Sequence, residues 1–184
     1  ALADFYRTNP LPDNEKEWAQ LEQAYQTDSK DRQVLKDMVS YHLRHNSREE
    51  AQKFVSDALV KNAGDYATNL IAGYFALNQN DMKGALKYFS VAADAEKEGD
   101  NYLNALFAKG KAEISLKKNE AAKKTFNEIV RVFPGSELGY KGLLSVYLIE
   151  DNAVGGRDKL VAYAKKNAQL APYYVLIQEA IALQ

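Results

Sequence analysis

His42 and His45 stand three residues apart on one helix-like stretch, a spacing at which two imidazoles can share a metal ion. The only third ligand at helical spacing is Glu49, one turn beyond His45. His42 also falls where a large packing residue is wanted, so packing explains it and no metal site is expected. A Ser-His-Asp arrangement would have to use one of these two, the only histidines in the chain, and neither lies near a nucleophile motif. Carboxylates such as Glu49, Glu50, Glu96 and Glu98 fall in first turns or on solvated faces, where acids favour helix N-termini. Nothing selects a glycosidase-like pair among them. Gly155, Gly156 and Arg157 are too few for a phosphate-binding loop, and no Lys-Ser/Thr follows them. The chain has no cysteine, which excludes disulfides, zinc–thiolate centres and cysteine nucleophiles. The expectation is a non-catalytic chain without cofactor or metal.

Charge gives one local feature. Lys109, Lys111, Lys117, Lys118, Lys123 and Lys124 cluster against Glu113 and Glu120 within a chain of net charge −1. Such a cluster serves RNA, an acidic partner or a membrane surface, or is a solvated face around a turn. The near-zero net charge provides no global field for nucleic acid. No apolar run approaches the roughly 20 residues that span a bilayer. Ala1 to Arg7 carries Asp4 and lacks a basic stretch followed by an apolar one, so no signal peptide is expected, although a processed chain would have lost it. A cytoplasmic or a periplasmic setting fits equally.

The elements that would position any site are helical. Apolar residues make up 46% of 184, with ten glycines and four prolines, and alternating Val/Ile/Thr strands do not recur. The spacing predicts ten helices, at about 14–27, 30–45, 48–62, 66–79, 82–97, 102–117, 119–133, 137–150, 157–170 and 173–183. Ser47 with Glu50 has capping-box spacing, and Asp65 and Ser136 are placed to cap the helices that follow. Glu98, Gly99, Asp100 and Asn101 read as a polar turn. Short connections make successive helices antiparallel.

Three stretches overlay on one another. Ala51, Ala85 and Ala122 are each followed four residues on by Val55, Phe89 and Phe126, and seven on by Ala58, Ala92 and Ile129. Gly73 and Gly110 precede the second and third alanines by twelve residues. The offsets are 34 and then 37, the longer one accommodating three extra residues in the polar turn.

This pattern resembles the tetratricopeptide repeat, a pair of helices with small residues near positions 8, 20 and 27, an aromatic near 24 and proline near 32. Gly110, Ala122, Phe126, Ile129 and Pro134 fill those positions in one unit, and Gly73, Ala85, Phe89 and Ala92 in the preceding one. Val39, Ala51, Val55 and Ala58 make a further unit. A fourth is degenerate: Tyr140, Leu143 and Tyr147 suit the large positions, but Leu144 takes the small one and Gly156 falls at 20. The resemblance implies an all-α, right-handed solenoid of antiparallel helix pairs in one domain over 1–184. Its parts are a half-repeat at 14–29, repeats at about 32–65, 66–100, 101–135 and 136–171, and a terminal helix at 173–183.

The family role implied is protein–protein interaction through a concave groove lined by first helices. Positions 5 and 9 usually face that groove. Here they are Lys36 and Ser40, Leu70 and Tyr74, Phe107 and Lys111, followed by Lys141 and Ser145. Lysines flank an apolar and aromatic patch, which suits an extended or helical peptide with apolar anchors and some acidic character. The alternative for Leu70 and Phe107 is packing between adjacent first helices. The carboxylate clamp of heat-shock co-chaperones in this family is not matched: Lys36 fits, whereas Ser40, Ile71, Asn104 and Ala108 do not. The segment Phe133 to Ser136 is similar to units in bacterial envelope assembly proteins of this class. The second functional reading is self-assembly into a homo-oligomer through the last helix, apolar at Val175, Leu176, Ile177, Ile181 and Leu183. The third is an enzyme on a helical-repeat scaffold.

Overall fold

A computed structural model describes residues 14–45 and 47–150. Among these residues there are eight α-helices and no strand. The helices group into two compact units, divided between Ala95 and Glu96. The first contains α1 (Asn14–Thr27), α2 (Arg32–Arg44), α3 (Arg48–Lys61), α4 (Tyr66–Asn78) and α5 (Met82–Ala95). The second contains α6 (Gly99–Ser115), α7 (Asn119–Val132) and α8 (Glu137–Ile149). The helices expected at 157–170 and 173–183 lie outside the described residues, as does the Gly155–Gly156 turn.

Short acidic or hydroxyl side chains start four of these helices by accepting from free backbone N–H groups. Asp31 accepts from Gln33 and Val34 at 2.8 and 2.9 Å. Asp65 accepts from both the backbone and the hydroxyl of Thr68 at 2.9 Å. Asp81 accepts from Gly84 at 2.9 Å and Ser136 from Leu138 at 3.3 Å. The capping box expected at Ser47 does not form. Ser47 caps nothing with its side chain, and its hydroxyl instead donates to the His45 carbonyl at 3.3 Å. The polar turn expected over 98–101 is also shorter than its composition implies. Gly99, at φ +68°, already begins α6, so the additional residues lengthen that helix at its start rather than enlarging the loop.

Within each unit the core is built from the repeated small and large positions. Ala51, Ala85 and Ala122 are fully buried, as are Phe89, Phe126, Ala92 and Ile129. The phenylalanines fit because a glycine faces each of them. A Cβ at Gly73 would stand 2.9 Å from Phe89 Cζ and closer still to two other ring carbons. A Cβ at Gly110 would stand 2.6 Å from the Phe126 ring. Phe126 meets a second glycine, Gly142 of α8, where a Cβ would come even closer. The small residue of the fourth helix pair is therefore Gly142. Leu144, which repeat counting assigns there, is half-buried. Tyr140, Leu143 and Tyr147 are buried at 4, 2 and 6% exposure, as their large positions require.

Several polar groups in the interior are paired across turns and helices. Asn69 donates to the carbonyls of Ala63 and Asp65, both at 2.8 Å, and so fastens the α3–α4 turn onto α4. Glu113 of α6 accepts from the Thr125 hydroxyl of α7 at 2.7 Å inside the second unit. Buried Glu17 of α1 is ion-paired to Arg44 of α2. Removing one partner of such a buried pair leaves the other desolvated and unmatched.

Gly73→Ala should destabilise the chain by about 1–3 kcal/mol, because the rigid Phe89 ring has no space to move into. Gly64→Ala, where a Cβ meets nothing within 4 Å, should stay within about 0.5 kcal/mol of the parent. Urea unfolding of the two variants checks the contrast.

Candidate functional site

The groove-facing positions fall differently in the two units. In the first unit, α2 leaves Lys36 exposed and Ser40 half-buried. On α4, Leu70 is only 3% exposed, so it is a core residue with no surface to offer a partner. Its apolar type at helical spacing does not separate the two roles, and the apolar surroundings of α4 decide for packing: most of that helix is buried. Tyr74 is 50% exposed, one of three large apolar or aromatic side chains left in solvent among the described residues. Its ring lies edge-on to Phe89 with centroids 5.2 Å apart. The glycine–phenylalanine contact thus sets the position of the one aromatic face that α4 shows to water. Partial burial raises the Tyr74 phenol above its ordinary value, the neighbouring Tyr66 adds to that, and Arg32 of α2 opposes it.

In the second unit four of the sequence-derived positions come together. Phe107 and Lys111 of α6 and Lys141 and Ser145 of α8 line one cleft of about 260 Å³. The buried Phe126 and Gly142 lie beneath it, and Ile114 and Ser115 extend it along α6. The Phe107 ring, half-buried, is 6.1 Å from Phe126. Lys111 Nζ lies 5.8 Å from the Phe107 centroid, close enough for a cation–π attraction that holds its stem along the rim. Lys141 Nζ lies 2.9 Å from Glu137 on the solvent side. The hydroxyls of Ser115 and Ser145 donate back to the carbonyls of Lys111 and Lys141 at 3.1 and 2.9 Å. The cleft thus combines the half-buried Phe107 ring, two ammonium groups at its rim and hydroxyl oxygens with lone pairs to spare. It can seat an apolar side chain next to a carboxylate. It brings no nucleophile against a base.

The remaining candidates are absorbed by structure. Four lysines of the basic cluster over 109–124 have separate settings. Lys123 is held between Glu120 and Glu150 at 2.9 and 2.6 Å and lies 5.5 Å from the Tyr147 ring centre. These hydrogen bonds, first Glu120 and then Glu150, drive its ammonium far above the usual lysine value. Lys117 sits in the turn at φ +57°, Lys118 precedes α7, and Lys111 belongs to the cleft. His42 packs against Trp18, with centroids 4.9 Å apart, and His45 lies over Tyr41 at 4.5 Å. Among the described residues no group of three or more His, Cys, Asp and Glu is placed to hold a metal ion. Among them, too, no helix is long and apolar enough to cross a membrane.

No family model matches the sequence, and no curated protein matches it. Solved structures do. MamA superposes with a TM-score of 0.66 at 14% identity over 93% of this chain and 91% of MamA. YrrB, described as a tetratricopeptide repeat protein with an unusual peptide-binding site, gives 0.65 at 17% identity over 98% of this chain and 88% of YrrB. PilF of Pseudomonas aeruginosa gives 0.65 at 15% identity over 89% and 72%. The chain has the all-α solenoid fold of tetratricopeptide repeat proteins.

The raised groups set an alkaline limit on stability. Lys123, Tyr102 and Tyr74 all have folded values above their ordinary ones. Their contributions are therefore complete below the unfolded values, about 10, and are lost as pH rises through the folded ones. The thermal midpoint should hold steady to about pH 9 and fall above about pH 10. Glu150→Gln should lower it by the equivalent of roughly 0.5–1 kcal/mol at pH 7 and flatten the alkaline fall. Melts of parent and variant followed by circular dichroism between pH 7 and 11.5 check this.

Proposed function

We propose that this chain is a non-catalytic protein-interaction scaffold that captures a partner segment on the faces of its first helices. The observation that carries the reading is the cleft of the second unit. Residues selected only by repeat position, on two successive first helices, line one depression with an apolar floor and a lysine rim. The partner chemistry follows from that lining. An apolar anchor on the segment leaves water by packing on the half-buried Phe107 ring, which Phe126 supports from beneath, each Å² contributing about 25 cal/mol. A neighbouring carboxylate is attracted by Lys111 and Lys141, which sets orientation and speeds encounter more than it adds affinity. Tyr74 and Lys36 are proposed to serve in the same way on the first unit, Tyr74 as anchor and Lys36 as charge contact, with Ser40 as a further polar contact. YrrB, which shares the fold, is a peptide binder by its description, and this supports the class of ligand.

The test is a peptide-display selection against the full chain, followed by calorimetric titration of the selected peptides. Phe107→Ala should weaken binding by about 2 kcal/mol, roughly thirtyfold, and Lys111→Glu should slow association in a salt-dependent way. Tyr74→Ala with Lys36→Gln examines the first unit separately. If the Tyr74→Ala/Phe107→Ala double variant kept native helicity and unchanged affinity for every selected peptide, the groove reading would fail.

A further inference from the structure

A second cleft, of about 460 Å³, lies in the first unit between α1 and α3, with α2 at its base. It is not formed by positions 5 and 9 of the first helices, and its chemistry is opposite to that of the cleft around Phe107. Its walls are aromatic. Trp18 and Tyr25 come from α1, His42 from α2 and Phe54 from α3. Tyr25 meets Phe54 edge-on at 5.2 Å, and His42 lies 4.9 Å from Trp18 and 6.4 Å from Phe54. The rings are therefore fixed by one another and do not collapse across the opening.

The polar lining is mainly acidic. Glu22 of α1 and Glu50 and Asp57 of α3 face Lys53 as the only cation in the lining. Glu22 and Asp57 have no ion pair or hydrogen bond among the described residues. Lys53, one turn from Asp57 along α3, does not pair with it. His42 Nδ1 is buried without a hydrogen bond, its nearest charged neighbour being Glu50 Oε2 at 3.4 Å. The chain already shows what such rings attract: Lys61 sets its ammonium 5.1 Å from the Tyr25 ring centre.

We propose that this cleft binds a basic, arginine-bearing segment of a partner protein. A guanidinium is flat, weakly hydrated and permanently charged, so it stacks on indole and phenol faces while its N–H groups reach carboxylates. Here the carboxylates stand on two different helices on either side of the rings, which suits the forked donor set of arginine better than the compact ammonium of lysine. The scaffold would then hold two kinds of segment, an apolar–acidic one in the second unit and a basic one in the first.

Trp18 is the only tryptophan, so its fluorescence reports directly on this cleft. The experiment titrates the full chain with an acetylated nonapeptide alternating arginine and alanine, by fluorescence and by calorimetry. A saturable Trp18 response with a Kd below about 1 mM is expected. Glu22→Gln with Asp57→Asn should weaken it about tenfold at unchanged helix content, and Lys53→Gln should tighten it. Lys111→Glu, in the other cleft, should leave it unchanged. The same affinity in the Glu22→Gln/Asp57→Asn variant, an equal response to a glutamate-alternating peptide, or no saturation would overturn the proposal. Binding that emerges only after residues 1–13 are removed would assign the cleft to the chain itself and overturn it equally. Phe107-dependent capture of apolar–acidic peptides is read separately, so failure here leaves that reading standing.

Discussion

Two helix pairs among the described residues, α4–α5 and α6–α7, depend on a phenylalanine ring lying where a side chain would otherwise be. Phe89 occupies the space beside Gly73, and Phe126 occupies the space beside both Gly110 and Gly142. Removing one Cβ lets two backbones approach to ring thickness, and the ring then fills the gap at crystal-like density. The alanines at 51, 85 and 122, all fully buried, extend the same close contact along the second helices. Dispersion and burial at these seams fix the rotation of each first helix about its axis. That rotation decides which residues face solvent.

The surfaces proposed to hold a partner through Phe107 and Tyr74 follow from the seam. Because Phe126 is pinned by glycines from two helices, it is a rigid buried support on which Phe107, Lys111 and Lys141 are arranged. Because Phe89 is pinned by Gly73, Tyr74 is held edge-on against it and half in water. Preorganised aromatic surface of this kind costs little entropy on binding. The first unit adds an aromatic cleft of acidic character in which Tyr25, Phe54, His42 and Trp18 support one another. On the proposed readings, the opposite charges of the two clefts select chemically different partners, which is a basis for specificity.

The repeat was legible in the sequence because its determinants are local: a small residue, a ring four residues after an alanine, a fixed period. Helix ends were legible where an aspartate or serine acts on its own, as at Asp65 and Ser136. They were misread where two side chains had to cooperate, as at Ser47 and Glu50, since Glu50 turns toward His42 instead. The role of Gly142 was hidden because repeat counting places the small residue two positions later, at Leu144. Only the approach of α8 to Phe126 reveals it. Leu70 shows the limit of helical spacing as a guide to exposure, for an apolar residue at a groove position is as easily a core residue. The Glu113–Thr125 bond and the Trp18 cleft lie beyond sequence reading for the same reason. Both join residues of different helices, and no spacing within one helix announces them.

The measurement that tests the seam most directly is a double-mutant cycle between Gly142 and Phe126. Stability to urea is compared for the parent, Gly142→Ala, Phe126→Leu and the double variant. If the ring occupies the space that a Cβ needs, the alanine should be costly beside Phe126 and much cheaper beside leucine, with a coupling of about 1–2 kcal/mol. Additive effects, within about 0.5 kcal/mol, would mean that the two residues do not share that space and would contradict the account from which the Phe107 cleft is derived.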